Sequence, residues 1–104
     1  MLTAVHRRRE RDPKIVKRKK EAVLRETGQL ACKVCGFDFA RTYGERGEGF
    51  IECHHTRPLS EGGAAMTRLD DLALVCANCH RMIHAKKPWL TVEELIAQIQ
   101  KTSG

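Results

Sequence analysis

The 104-residue sequence has no apolar run near Met1, only Val5-His-Arg-Arg-Arg9, and no stretch long enough to span a bilayer. Neither a secretory signal nor a membrane anchor is expected, which points to a cytoplasmic protein with no membrane partner. There is no internal repeat, and no low-complexity tract beyond a basic arm at the start. What remains is one domain's worth of chain. At this size a single hydrophobic core supplies only modest stability, and a structural metal is a common supplement.

Acidic residues are scarce at one end. Residues 1 to 28 hold ten Lys/Arg against four Asp/Glu, while residues 29 to 104 hold nine of each, so the net charge of +6 sits wholly on the N-terminal segment. Cations gathered beside a neutral body suit a polyanion, because Lys and Arg displace condensed counterions from phosphate without reading sequence. The alternative is a solvated charged helix or a localisation tag. Asp12-Pro13 is a good helix start, an N-cap followed by Pro at the first helical position, and Gly28 after Thr27 a good stop. Val16, Val23 and Leu24, with Ala22 beside them, make a narrow apolar stripe; Lys14, Lys17, Arg18, Lys19, Lys20 and Arg25 cover the rest.

Five cysteines in a chain expected to meet a reducing cytosol read as thiolate ligands rather than disulfides. Cys32-x2-Cys35 and Cys76-x2-Cys79, with 40 residues between the pairs, form a four-thiolate set. Such a set suits tetrahedral Zn2+ and leaves no position for water, so the site is structural. Redox pairs or two disulfides are the competing reading, but nothing thioredoxin-like surrounds them. The run Leu30 to Gly36 has the form of a metal knuckle, with Phe37 and Phe39 covering it. Cys53 is left over and reads as a buried, inert thiol.

Phe50-Ile51-Glu52-Cys53 and Leu72-Ala73-Leu74-Val75 are short strands by composition, joined by a long excursion through Gly62-Gly63 into an open hairpin. Residues 40 to 49, with three glycines and alternating charge, read as a loop that either approaches DNA or is simply solvated. A helix is expected from about Ala77 to Lys87, stopped by Pro88. A last amphipathic helix follows the capping-box signature Thr91-Val-Glu-Glu94, with Val92, Leu95, Ile96 and Ile99 on one face. No chemistry is assigned to it.

Four of the five histidines fall in two clusters. His54 and His55 are adjacent, so on a strand they point to opposite faces and serve different purposes. His80 and His84 are four apart on a helix, and both can chelate one ion. A second, open metal site therefore follows from one of the pair plus His80, with His84 as a further ligand or a phosphate contact. Such a site beside a free imidazole suits phosphodiester hydrolysis. Asp71, just before the second strand, is placed to orient that imidazole; its bland reading is a solvent-facing turn residue.

Glu52-x-His54-His55-x2-Pro58-Leu59, followed by Asp71-Leu72-x3-Cys76-x2-Cys79-His80-x3-His84, resembles the HNH, or ββα-metal, endonuclease family. The likeness is to the branch with an added four-cysteine zinc, and most of all to modified-cytosine-dependent HNH restriction endonucleases. It implies a small α+β fold in which a ββα-metal core and a four-cysteine zinc knuckle are flanked by an N-terminal basic helix and a C-terminal amphipathic helix. Residues 1–29 are then the basic arm and helix, and residues 30–104 the nuclease domain.

By the same resemblance His55 is the general base, His54 and His80 hold a divalent ion such as Mg2+, Mn2+ or Ni2+, and His84 is a third ligand or phosphate contact. Asp71 stands where the commoner residue is Asn and adds negative charge beside the base. Glu52 matches a position that orients a basic side chain near the scissile phosphate, here Arg46 or Arg57. Lys14, Lys17, Arg18, Lys19 and Lys20 join those two arginines as DNA contacts.

The expected function is a metal-dependent DNA endonuclease concerned with restriction or DNA defence. A non-catalytic zinc module that binds nucleic acid is the alternative, and a ribonuclease or toxin of the same fold a third. The basic arm promises affinity for backbone, not bases, so discrimination is assigned to a homodimer or a separate specificity domain.

Overall fold

The first described element owes its start to Pro13, whose fixed φ suits a first helical position and whose missing N–H is no loss there. This is α1, Pro13–Thr27, and it closes as expected: Gly28 takes φ 79° and donates its N–H to the Leu24 carbonyl at 2.8 Å. The computed structural model describes residues 13–56 and 68–103; the basic arm, the Asp12 cap, Arg57, Pro58, Leu59 and the Gly62-Gly63 turn lie outside them. The face of α1 that packs inward is Ile15, Val16 and Val23. Leu24, expected in that stripe, is 45% exposed, since it lies about 100° further round the helix than Val23.

The zinc knuckle forms by backbone pairing. Ala31 bridges Asp38, the Cys32 N–H donates to the Phe37 carbonyl, and Gly36, at φ 80°, donates back to the Cys32 carbonyl. Only glycine adopts that conformation without strain. Residues 40 to 49 are not the open loop expected. Asp38 caps a short helix, α2, Phe39–Tyr43, by accepting from the N–H groups of Ala40 and Arg41, and a 3-10 turn, Gly44–Gly47, follows. Gly47 allows the two to close up: a Cβ there would sit 2.2 Å from the Phe39 carbonyl oxygen.

Strands β1, Glu52–His55, and β2, Leu72–Val75, pair antiparallel as Glu52↔Val75, Cys53↔Leu74, His54↔Ala73 and His55↔Leu72. β1 starts later than expected because Phe50 is still in the turn, its N–H bonded to the Gly47 carbonyl. Both faces of this ribbon are covered. Ala73 and Val75 pack with α3, Ala77–His84, and α4, Val92–Ser103; Cys53, Leu72 and Leu74 pack beneath α1. A strand covered on two sides needs no apolar–polar alternation, which is why Leu-Ala-Leu-Val is uniformly apolar.

α3 stops three residues short of the expected Lys87, where the Ala85 N–H turns to the Met82 carbonyl. The capping box of α4 is present: the Thr91 N–H donates to Glu94 Oε1 at 2.8 Å and the Glu94 N–H to Thr91 Oγ1 at 3.0 Å. Val92 and Leu95 are buried and Ile96 and Ile99 pack against the same core, which confirms α4 as a packing element.

Candidate functional site

Two sites meet at the start of α3. The sulfurs of Cys32, Cys35, Cys76 and Cys79 all lie within 4.8 Å of one another. Four ligands at about 2.3 Å from a tetrahedral zinc stand about 3.8 Å apart, and the Cys35 and Cys76 sulfurs are 3.7 Å apart. The donor set therefore fits zinc with little movement. Backbone N–H groups already face the sulfurs: those of Val34 and Cys35 point at Cys32, and that of Cys79 at Cys76. Burial pushes the Cys35 and Cys79 thiols above the ordinary thiol value. Burial acts on Cys32 too, but there the N–H groups of Cys35, Cys76 and Val34 outweigh it and bring the thiol below that value. Packed together, four thiols cannot all ionise without a cation among them.

The second cluster follows from strand alternation. Residues two apart on β1 share a face, so Glu52 and His54 both look toward α3, where His80 and His84 stand one turn apart. One ring nitrogen from each of His54, His80 and His84 lies within 4.8 Å of the others, and all three residues are buried. Their ring centroids are 5.0 to 5.4 Å apart in edge-on pairs. Three imidazoles meeting at a point can hold a divalent ion and leave a coordination position open. Of the two roles considered for His84, a place among the ligands is what this geometry offers.

His55 goes the other way. It pairs with Leu72 on the opposite face of the ribbon and stands outside the three-histidine cluster. Beside it, the backbone N–H and hydroxyl of Thr56 both donate to the Asp71 carbonyl, at 2.7 and 3.0 Å. One carboxylate oxygen of Asp71 accepts from the Arg68 N–H at 3.1 Å. Asp71 is thereby held at the end of the hairpin that His55 closes, its carboxylate capping the 3-10 turn Leu69–Asp71.

The partner of Glu52 differs from expectation. Its Oε1 lies 2.8 Å from His80 Nδ1, so the carboxylate engages a residue of the histidine cluster, not Arg46; Arg57 is outside the described residues. Arg46 is exposed on the 3-10 turn. On α1, Lys14, Lys17 and Arg18 are exposed, and Lys19 is half-buried. Lys20 is committed elsewhere: its Nζ donates to the Gly49 carbonyl at 2.6 Å and ties α1 to the turn before β1. Cys53 is buried among Leu30, Ile51, Leu72 and Leu74, as expected of a core thiol.

No sequence pattern places Trp89 at the site, yet it is there. Its ring centroid lies 4.5 Å from that of His84, nearly perpendicular to it, and the Lys87 Nζ stands 6.0 Å from the same ring. The contact depends on how the chain turns back after α3, which neighbouring residues do not signal.

A family model described as HNH endonuclease matches residues 32–86, a segment that holds both clusters. The chain belongs to the HNH endonuclease family. A curated relative, the Type IV methyl-directed restriction enzyme EcoKMcrA of Escherichia coli (strain K12), is 36% identical over 89 residues. The aligned stretch is 86% of this chain but 28% of that enzyme, so the chain spans less than a third of its relative's length. No solved structure matches the chain significantly. No described helix is long and apolar enough to cross a membrane.

Proposed function

We propose that this HNH chain is a metal-dependent DNA endonuclease of the restriction type, hydrolysing phosphodiester bonds with one divalent ion on His54, His80 and His84 and with His55 as general base. The observation that carries this reading is the division of the adjacent histidines: His54 joins a three-imidazole cluster on one face of the ribbon, while His55 is held apart on the other. A purely structural metal site has no use for that fourth imidazole.

His54, His80 and His84 would hold the divalent ion, which when bound would supply Lewis-acid stabilisation of charge developing on the phosphate. The remaining work falls to side chains. His55, at the end of β1, takes the proton of the attacking water, and Asp71 beside it holds the ring's orientation. Lys17 and Arg18 on α1, with Arg46 on the 3-10 turn, meet the DNA backbone and position it without reading its bases. A restriction role is supported by the likeness to EcoKMcrA, whose name describes a methyl-directed enzyme. Since the likeness spans 28% of that enzyme, recognition of a base modification is assigned to a specificity domain or a second copy, and the nuclease step to this chain. A site of action in the cytoplasm agrees with that role.

The test is plasmid cleavage with added Mg2+, Mn2+ or Ni2+, comparing the wild-type chain with a zinc-loaded His55→Ala. The wild type should nick or linearise the plasmid, and the variant should bind DNA with unchanged affinity while losing about 100-fold or more in rate. Equal DNA binding without cleavage by either protein, under every ion, would instead favour a non-catalytic zinc module.

A further inference from the structure

Resting on that reading of the histidine cluster, we infer that Glu52 is a positioning residue for the metal site: it fixes the tautomer and ring orientation of His80, and so sets the affinity for the ion.

His80 lies in the first turn of α3, between the N-cap Cys76 and the body of the helix, and directly follows Cys79. The four-sulfur site thus anchors its backbone, while two freedoms of the side chain remain: rotation of the ring about its bond to Cβ, and the choice of which nitrogen carries the proton. Glu52 acts on both. Strand alternation sets it on the face of β1 that looks at α3, two residues from His54, and its Oε1 reaches His80 Nδ1 at 2.8 Å.

A carboxylate oxygen can only accept, so Nδ1–H is the donor and Nε2 is the nitrogen that His80 can offer to an ion beside His54 and His84. A free histidine side chain in water favours the opposite form, with the proton on Nε2. Without Glu52, an incoming ion must displace that proton or wait for the less populated form.

The surroundings strengthen the contact. The His80 side chain is 11% exposed and that of Glu52 is 37% exposed, so the imidazole is desolvated while the carboxylate keeps an edge in water. A charged acceptor in that position makes a strong hydrogen bond without the full cost of burying an anion. Carboxylates behind metal-binding imidazoles are worth about 10- to 100-fold in metal affinity.

Trp89 supplies a readout that does not depend on cleavage. It is the only tryptophan in the chain, and its ring sits 4.5 Å from His84, so Ni2+ entering the cluster should quench its emission. Zinc-loaded wild type, Glu52→Ala, Glu52→Gln and His84→Ala would each be titrated with Ni2+. Retention of zinc by the four cysteines checks that every variant is folded.

Glu52→Ala should weaken Ni2+ binding by about 10- to 100-fold. Glu52→Gln, which keeps an oxygen acceptor in place, should stand closer to wild type. Nickel affinity in Glu52→Ala equal to wild type overturns the proposal.

Nitrogen-15 NMR of the histidines in nickel-free protein, above the imidazole titration range, tests the tautomer directly. His80 should carry its proton on Nδ1 in wild type and shift toward the Nε2–H form in Glu52→Ala; an Nε2–H form in wild type refutes the assignment. Should wild type show no quenching that depends on His84, the metal reading of the cluster fails, and the NMR result still decides the role of Glu52.

Discussion

Stripping zinc from the four cysteines should cost this protein a large part of its stability. The magnitude follows from the distance along the chain that the metal closes. Cys35 and Cys76 are 41 positions apart, and their sulfurs stand 3.7 Å from each other. Treated as a cross-link, closure of a loop that long restricts the unfolded chain by about 4 kcal/mol. Domains of this size have only about 5–15 kcal/mol in total, and a loss of that size lowers the melting temperature by about 15 °C or more. Besides the metal, the knuckle is tied to the body by the buried Leu30 and Cys32, by Val34 and Phe37 packed against the core, and by the Lys33 N–H on the Leu74 carbonyl.

Thermal unfolding followed by circular dichroism, before and after chelation and with zinc release measured by a colorimetric chelator, gives the number. A zinc-free protein that melts within a few degrees of the loaded one would refute the reasoning. Dependence on pH provides a second check of sign. Zinc takes thiolates, so protons compete with it, and the stability it confers should be lost as pH falls. In the zinc-free fold, burial holds the Cys35 and Cys79 thiols above the ordinary value of 9.0, against Cys32 below it. There the folded chain keeps protons that the unfolded chain releases, so stability should decline as pH rises through that value.

Two further substitutions probe the frame and the DNA face. Gly47→Ala places a Cβ against the Phe39 carbonyl, where the backbone must shift, and should cost about 1–3 kcal/mol; an unchanged urea midpoint at saturating zinc would show that the 3-10 turn yields freely. Replacing Lys17, Arg18 and Lys19 by Ala should weaken DNA binding and reduce its logarithmic salt slope by up to about 0.9 for each phosphate that is no longer neutralised. A slope equal to wild type would place DNA on another face. Lys20 is left out of that set because it is tied to the Gly49 carbonyl.

Parts of this protein follow from short-range rules. Each Cys-x2-Cys pair is a local backbone geometry, and His80 and His84 share a helical face whatever surrounds them. The start and stop of α1, the capping box of α4 and the two strand cores rest on neighbours within a few residues. These are legible in the residues alone, as is the HNH family. The helix hidden in residues 40 to 49 carries a signal too, Asp38 as a cap, but the glycines after Tyr43 outweigh it in any local reading.

What the amino-acid sequence determined by itself was therefore the inventory: four thiols in two knuckles, two histidines a turn apart, two more on a strand, and a helix crowded with cations. What only the tertiary structure decided was who meets whom. The pairing of His54 with Ala73 and of His55 with Leu72, under helices on both sides, sends one imidazole to α3 and the other to the opposite face. The same arrangement turns Glu52 to His80 instead of to an arginine, and brings Trp89 against His84. The physical reason is that spacing along a chain constrains only neighbours. Contacts across 28 positions, as between Glu52 and His80, are chosen by which apolar faces must be buried together.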